Sequence, residues 1–283
     1  LSLLASFFRI GETMAMDIDN FYIGAVLITG ITLASVLGLL IVRRYCHLER
    51  LKQCHEVGGY LLSVVGTMYA VLLGLVVVDA MTKFQTARNV VENEANSLAD
   101  VFLLAESLPR AKALAIRQLC EKYVSEVVEK EWPDMAKGQI NKTARRHAIN
   151  LMREVNGFEP VTENQKAIYP LLVQEACQVW DNRRARTNLA SFGVPAVEWF
   201  VLILGGIVTV VFTYFFGVES VVAQILMTSM VSLLISLNMY LVVLFGAPFS
   251  GDLQVSSDAL MVDKMIFENQ LGLRQDPEFS PKL

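Results

Sequence analysis

The stretch Val57–Phe102 constrains this chain more than any other. It opens as an uncharged apolar run through Val78, enough for a helix to cross a bilayer, which takes about 20 residues. It then passes, without Pro or Gly, into Asp79-Ala80-Met81-Thr82-Lys83-Phe84, where polar residues enter at helical spacing. Phe84, Ala87, Val91, Ala95, Leu98 and Phe102 fall three or four apart, which marks an amphipathic helix. The pattern predicts one long helix with its first half in lipid and its second half in water. Such a helix ties a membrane bundle to an extramembrane domain.

Two adjacent stripes differ within the membrane half. Gly66, Ala70 and Gly74 make a small-residue face that lets a neighbouring helix backbone approach closely. Thr67, Val71 and Leu75 make a bulkier stripe one residue further on. A small face packed on a neighbour would turn the bulky stripe toward a shared axis. Spacing alone equally allows both stripes to pack on lipid or on other helices.

A hydrophobic share of 54 % and a mean hydropathy of +0.45 put the chain among integral membrane proteins. The net charge of −4 argues against a nucleic-acid partner. Cys46, Cys54, Cys120 and Cys177 are scattered and form no disulfide framework. Leu1–Ile10 is apolar but too short to span, and is expected to be an interfacial or irregular lead-in.

The organisation expected from these patterns runs in five parts. Residues 1–20 are the lead-in, 21–81 hold membrane helices one and two, and 82–195 form a helical extramembrane domain. Residues 196–247 hold helices three and four, and 248–283 are a tail. The first span, Phe21–Val42, carries its own small face of Gly30, Ala34 and Gly38, expected to pack on that of the second span. In the domain, Leu108-Pro109 breaks the long helix. A helix from Arg110 to Trp132 buries Ile116, Leu119, Tyr123 and Val127 and is expected to stop at Pro133. A short helix over Thr143–Val155 ends at Asn156-Gly157. Thr162 and Gln165 form a capping box for a helix reaching Phe192, with a kink expected at Pro170. The spans Ala196–Phe216 and Val221–Leu244 form a hairpin, and Ser256-Ser257-Asp258 opens a tail helix through Phe267. No alternating strand pattern of useful length occurs, so the fold class is an all-α membrane protein with four transmembrane helices.

Four spans put both termini and the domain on one side of the membrane. Arg43, Arg44, Arg50 and Lys52 in the short loop would draw that loop into the cytoplasm, but Lys83, Arg88, Arg183, Arg184 and Arg186 act against this bias. The charges leave the orientation open.

Three segments carry a family resemblance. Ala70-Val71-Leu72-Leu73-Gly74-Leu75, followed by Phe84-Gln85-Thr86-Ala87-Arg88, resembles the pore helix of bestrophin anion channels. Pro248-Phe249-Ser250-Gly251-Asp252 resembles the Pro-Phe-Gly-acidic segment after their last span. The whole chain over roughly residues 20–265 resembles the bacterial bestrophin-like domain family still more. The shared features are Gly66 with Tyr69–Gly74, Glu131-Trp132-Pro133 and the late Pro-Phe-x-Gly. The resemblance implies four membrane helices, a cytoplasmic helical domain, a bacterial inner membrane, and a homo-oligomer, a pentamer, around a pore lined by the second helix. It puts a hydrophobic neck on Thr67, Val71 and Leu75, the stripe already marked by spacing. The chain departs from bestrophins in Val76-Val77-Val78, where they are polar. It also lacks their dense acidic cluster, having only Asp252 and Asp258 there. Calcium takes about six to eight oxygen ligands, so no such site is expected, and no cofactor is implied.

The other candidate groups divide between chemistry and plain structure. Cys46-His47 and Cys54-His55 offer metal ligands without zinc-finger spacing and read better as a polar membrane-edge loop. Asp79, at the end of the second span, suits a vestibule or a simple interfacial carboxylate. Asn238 suits a hydrogen bond to a neighbouring helix better than an ion site, and Arg183, Arg184 and Arg186 suit ion pairs with domain acids better than the attraction of anions to a cytoplasmic mouth. There is no phosphate loop, nucleophile elbow or metalloprotease motif, so an enzyme is not expected. The expected function is a bestrophin-like channel for inorganic anions such as chloride, gated by dewetting at its neck. The competing expectation is a non-conducting membrane scaffold whose domain docks another membrane-protein complex, favoured by the dry Val76–Val78 run.

Overall fold

The computed structural model describes residues 20–45, 55–139, 141–191, 193–216 and 218–272. The lead-in and the Cys46, His47 and Cys54 positions lie outside these residues, as does the side chain of His55. In chain order the main helices are α1 (Phe21–Tyr45), α2 (His55–Leu104), α3 (Arg110–Glu126), α4 (Trp132–Ala136) and α5 (Lys142–Asn156). They are followed by α6 (Glu163–Ser191), α7 (Ala196–Tyr214), α8 (Val221–Gly246) and α9 (Asp258–Gln270). No strand occurs among the described residues. The chain divides into two compact units, residues 1–84 with 193–253 and residues 85–192 with 254–283. The long α2 runs through the boundary without interruption, as its unbroken apolar-to-amphipathic pattern predicts.

In the membrane unit, four of the described helices are long and apolar enough to cross a bilayer. α1 packs along α8 and α7, and α8 also packs on α7. Backbone polarity is satisfied inside each helix, so the remaining polar atoms pair between or along helices. Ser35 and Ser232 share a hydrogen bond of 2.8 Å, and Thr213 and Thr228 one of 3.1 Å. The Tyr214 hydroxyl donates to the Ser35 carbonyl at 2.8 Å. Arg43 donates to Gln224 Oε1 at 2.6 Å and to the Val218 and Glu219 carbonyls at 2.9 Å, fastening the end of α1 to the α7–α8 turn. At the opposite end of α1, Asp252 Oδ2 accepts the Phe21 N–H at 2.8 Å. A carboxylate at a helix N-terminus satisfies an open donor and the helix dipole together. The acidic residue of the Pro-Phe-Ser-Gly-Asp segment is therefore a helix cap.

The small faces of the first two spans do not meet within one protomer, contrary to expectation. A methyl added at Gly30, Gly66 or Gly74 would touch nothing within 4 Å. Glycines are used instead as notches for tyrosine rings. A Cβ at Gly24 would lie 2.1 Å from the Tyr240 ring, at Gly38 2.7 Å from the Tyr214 hydroxyl, and at Gly205 2.5 Å from the Tyr69 ring. Ring insertion buries more apolar area than a backbone-to-backbone contact of small residues, which is why these pairings hold the bundle.

The extramembrane unit is built on the apolar faces read from the sequence. Ala87, Val91, Ala95, Leu98 and Phe102 of α2 are buried, as are Ile116, Tyr123 and Val127 of the next helix. Cys120 takes the fully buried place there, with Leu119 only half-buried. α3 packs on α5 and α9, and α5 packs on α6. The Thr162–Gln165 capping box forms in both directions, at 3.2 and 3.3 Å. Pro133 does not stop its helix. A π-helical turn over Val127–Glu131 precedes it, and α4 continues to Ala136. The wider π register relieves the clash of a proline ring with the carbonyl four residues back. The stop comes at Gly138, whose φ of 68° is the left-handed conformation that ends a helix. α6 runs through Pro170 to Ser191.

Candidate functional site

α2 presents two opposite faces in the membrane. One is held by the protomer's own bundle. Tyr69 and Leu73 are buried with Leu202 and Val242, flanked by Leu72, Val76 and Val77, and the Tyr69 hydroxyl donates to the Leu202 carbonyl at 3.0 Å. At about 3.6 residues per turn, Thr67, Val71 and Leu75 fall on the other side of the helix. All three are exposed, Val71 by 60 % and Leu75 by 67 %. The Thr67 hydroxyl donates back to the Ser63 carbonyl at 2.6 Å, so the position presents mainly its methyl. Gly66 is half-buried, and Ala70 and Gly74 are exposed, which leaves the small face beside the bulky stripe equally unused by the protomer. Of the first span's small face, Gly30 and Ala34 are exposed and Gly38 is filled by Tyr214.

Asp79 is exposed and pairs with Lys83 at 2.7 Å, one turn on. Asn238 donates to the Leu234 carbonyl of its own helix at 2.9 Å, so it joins neither a neighbouring helix nor a polar cluster. A cavity of about 620 Å³ between α1, α7 and α8 is walled by hydrocarbon such as Ile31, Ala34, Ile203, Ile235 and Met239, and presents no charged group to an ion. Among the described residues, no three His, Cys, Asp or Glu side chains come together as metal ligands would.

In the extramembrane unit the arginines are engaged in structure. Arg186 grips Glu94 through Nε at 2.7 Å and Nη2 at 3.0 Å, and reaches Glu131 Oε2 at 3.0 Å. Arg183 pairs with the other Glu131 oxygen and donates to the Asn141 carbonyl at 3.2 Å. Tyr123 donates to Glu94 at 2.5 Å, and the Trp132 ring lies 5.2 Å from the Arg186 guanidinium. Burial acts against the Arg186 charge, but Glu94 and Glu131 outweigh it and hold the guanidinium protonated well beyond its ordinary range. Burial, then the Glu94 carboxylate, pushes the Tyr123 phenol up. Two acids and two bases close this cluster at zero net charge, and Arg184 alone of the three arginines stays exposed. The network therefore fixes the helices that carry Glu131-Trp132-Pro133. Glu94 was missed in the sequence, although it interrupts the apolar stripe between Val91 and Leu98, where a lone acid must find a buried partner.

A membrane unit of apolar helices, entered by one helix that continues into an all-helical extramembrane unit, defines a class of integral membrane protein. The Bestrophin-like domain family model matches residues 29–260, and the chain belongs to that family. Solved structures share the fold. A bacterial bestrophin homologue from Klebsiella pneumoniae is 15 % identical with a TM-score of 0.62, over 88 % of this chain and 100 % of that one. A mutant homologue from the same organism is 17 % identical with a TM-score of 0.58, over 87 % and 99 % of the two chains. No curated protein matches the chain.

Proposed function

We propose that the chain is the subunit of a homo-oligomeric channel, a pentamer, that passes inorganic anions such as chloride along α2. The observation that carries this reading is the free apolar stripe of Thr67, Val71 and Leu75, turned directly away from the packing face of Tyr69 and Leu73. A membrane helix leaves such a stripe to lipid, to a neighbour or to a pore axis. The adjacent Gly66, Ala70 and Gly74 favour the axis, because they supply the close contact for a neighbouring copy that would turn the stripe inward. Membership of the Bestrophin-like family supports a channel rather than an enzyme and an oligomer around the second helix. The stripe then acts as a neck that conducts when wetted and closes when dry. Asp79, at the end of the neck, sits at its vestibule with its charge offset by Lys83. A bacterial inner membrane, with the helical unit in the cytoplasm, is the location this reading implies.

Chloride and potassium efflux from liposomes holding the purified protein tests it. Leu75→Ala shortens the bulkiest side chain of the neck and is expected to raise chloride flux several-fold. Equal flux from wild type and variant removes Leu75 from the gate. No flux from either, with insertion verified, leaves the scaffold reading in its place.

A further inference from the structure

The free face of α2 does not end with the neck. Following the same side of the helix past Leu75 leads by Asp79, which is paired with Lys83, through Val78 and Thr82 to Gln85, Asn89, Asn93 and Asn96, and reaches the next acid at Asp100. All of these positions but Lys83 are exposed. Gln85 to Asn96 covers about 16 Å of helix at about 1.5 Å per residue. None of the four carboxamides makes a side-chain hydrogen bond among the described residues.

A solvent-facing helix surface ordinarily carries Lys, Glu, Gln or Arg, all good helix formers. Asn is a poor one, because its amide competes for backbone groups in other conformations. Three Asn within eight residues of a helix interior weaken the helix and return nothing to the protomer's packing. The charged residues of this segment are already paired, including Glu92, which borders the stripe three residues after Asn89 and four before Asn96. Arg88 and Glu92 pair with each other at 3.0 Å, and Glu94 is fully buried with Arg186. What remains on the stripe is a line of groups that each offer two N–H donors and one carbonyl acceptor without fixed charge.

We infer that Gln85, Asn89, Asn93 and Asn96 line the water-filled continuation of the conduction path beyond the neck. There their amide donors solvate a partly dehydrated inorganic anion and set the selectivity between anions and cations. This rests on the channel reading above. The neck then decides whether ions pass, and the amide stripe decides which. Neutral donors suit this task because a fixed cation would hold the anion back, and a fixed anion would exclude it.

The test is the reversal potential of purified channels in planar bilayers under a potassium chloride gradient, for wild type, Asn93→Asp, Asn93→Lys and Asn89→Asp. The carboxylates are expected to lower the chloride-to-potassium permeability ratio by roughly threefold, and the lysine to raise it. That size suits single charges felt within a Debye length of about 8 Å. Leu75→Ala is expected to change conductance and leave the ratio alone. A conducting wild type whose ratio is unmoved by all three charges overturns this inference and leaves the neck standing. A silent wild type, correctly inserted, overturns the channel reading and this inference with it.

Discussion

Replacing Glu94 by Gln tests the buried ion cluster that organises the extramembrane unit. Glu94 is fully buried, and so are its partners Arg186 and Tyr123. Its two oxygens accept from Arg186 at 2.7 and 3.0 Å and from Tyr123 at 2.5 Å. The substitution keeps the shape, turns one acceptor into an N–H₂ donor facing a guanidinium, and leaves two arginines on Glu131 alone. Removing one partner of a buried pair costs about 3–5 kcal/mol, chiefly because the remaining charge cannot return to water. At about 2–4 °C per kcal/mol for a unit of this size, the melting temperature should fall by roughly 6–20 °C. The assay is thermal unfolding in detergent, followed by tryptophan emission, since Trp132 lies against Arg186. The double variant Glu94→Gln with Arg186→Gln returns the cluster to zero net charge. It should recover part of the loss, with a coupling of about 0.5–3 kcal/mol. A single variant costing less than about 1 kcal/mol, or strict additivity in the double, would refute the reasoning.

Two further outcomes follow from particular contacts. Gly24→Ala forces a methyl into the Tyr240 ring and should destabilise the membrane unit by roughly 1–3 kcal/mol, with Tyr240→Leu as second-site relief; an unchanged melting temperature for Gly24→Ala in detergent would rule out the notch. Asp263 is buried on α9 with Oδ2 unpaired, and burial raises its pKa from 3.8 to about 7. The folded state therefore binds the proton more tightly than the unfolded one. This stability is full below pH 4 and is lost as pH rises to about 7. Asp263→Asn should flatten that slope and, discounted for the carboxyl's partial contact with water, stabilise at pH 8 by roughly 1–2 kcal/mol. Parallel pH–melting curves for the two proteins would contradict this.

The membrane spans and the long α2 were legible because both signals are local. Uninterrupted apolar length marks the bilayer, and a three-four stripe marks the buried face of a helix. Phe84 to Phe102 was read correctly for that reason, as were the capping box and the ion-pairing role of Arg183 and Arg186. Pro133 was misread because its effect depends on what precedes it. A π turn widens the helix just enough to admit the ring, and no single residue type announces that turn. The Gly30–Ala34–Gly38 face was misassigned because a small side chain says that something comes close without saying what. Here the neighbour of Gly38 is Tyr214, two spans further along the chain.

For the candidate site the division is similar. Sequence alone determined that Thr67, Val71 and Leu75 share a side of one helix, because helical periodicity is a property of the backbone. Sequence also determined that a helix of this apolarity lies in a membrane. Only the tertiary structure decided that this side is the unoccupied one, since that depends on Tyr69 and Leu73 being claimed by Leu202 and Val242 from spans more than a hundred residues later. It likewise decided that Glu94, Glu131, Arg183 and Arg186 are one neutral cluster rather than four surface charges. Burial and pairing are relations between distant segments, and the folded chain alone fixes them.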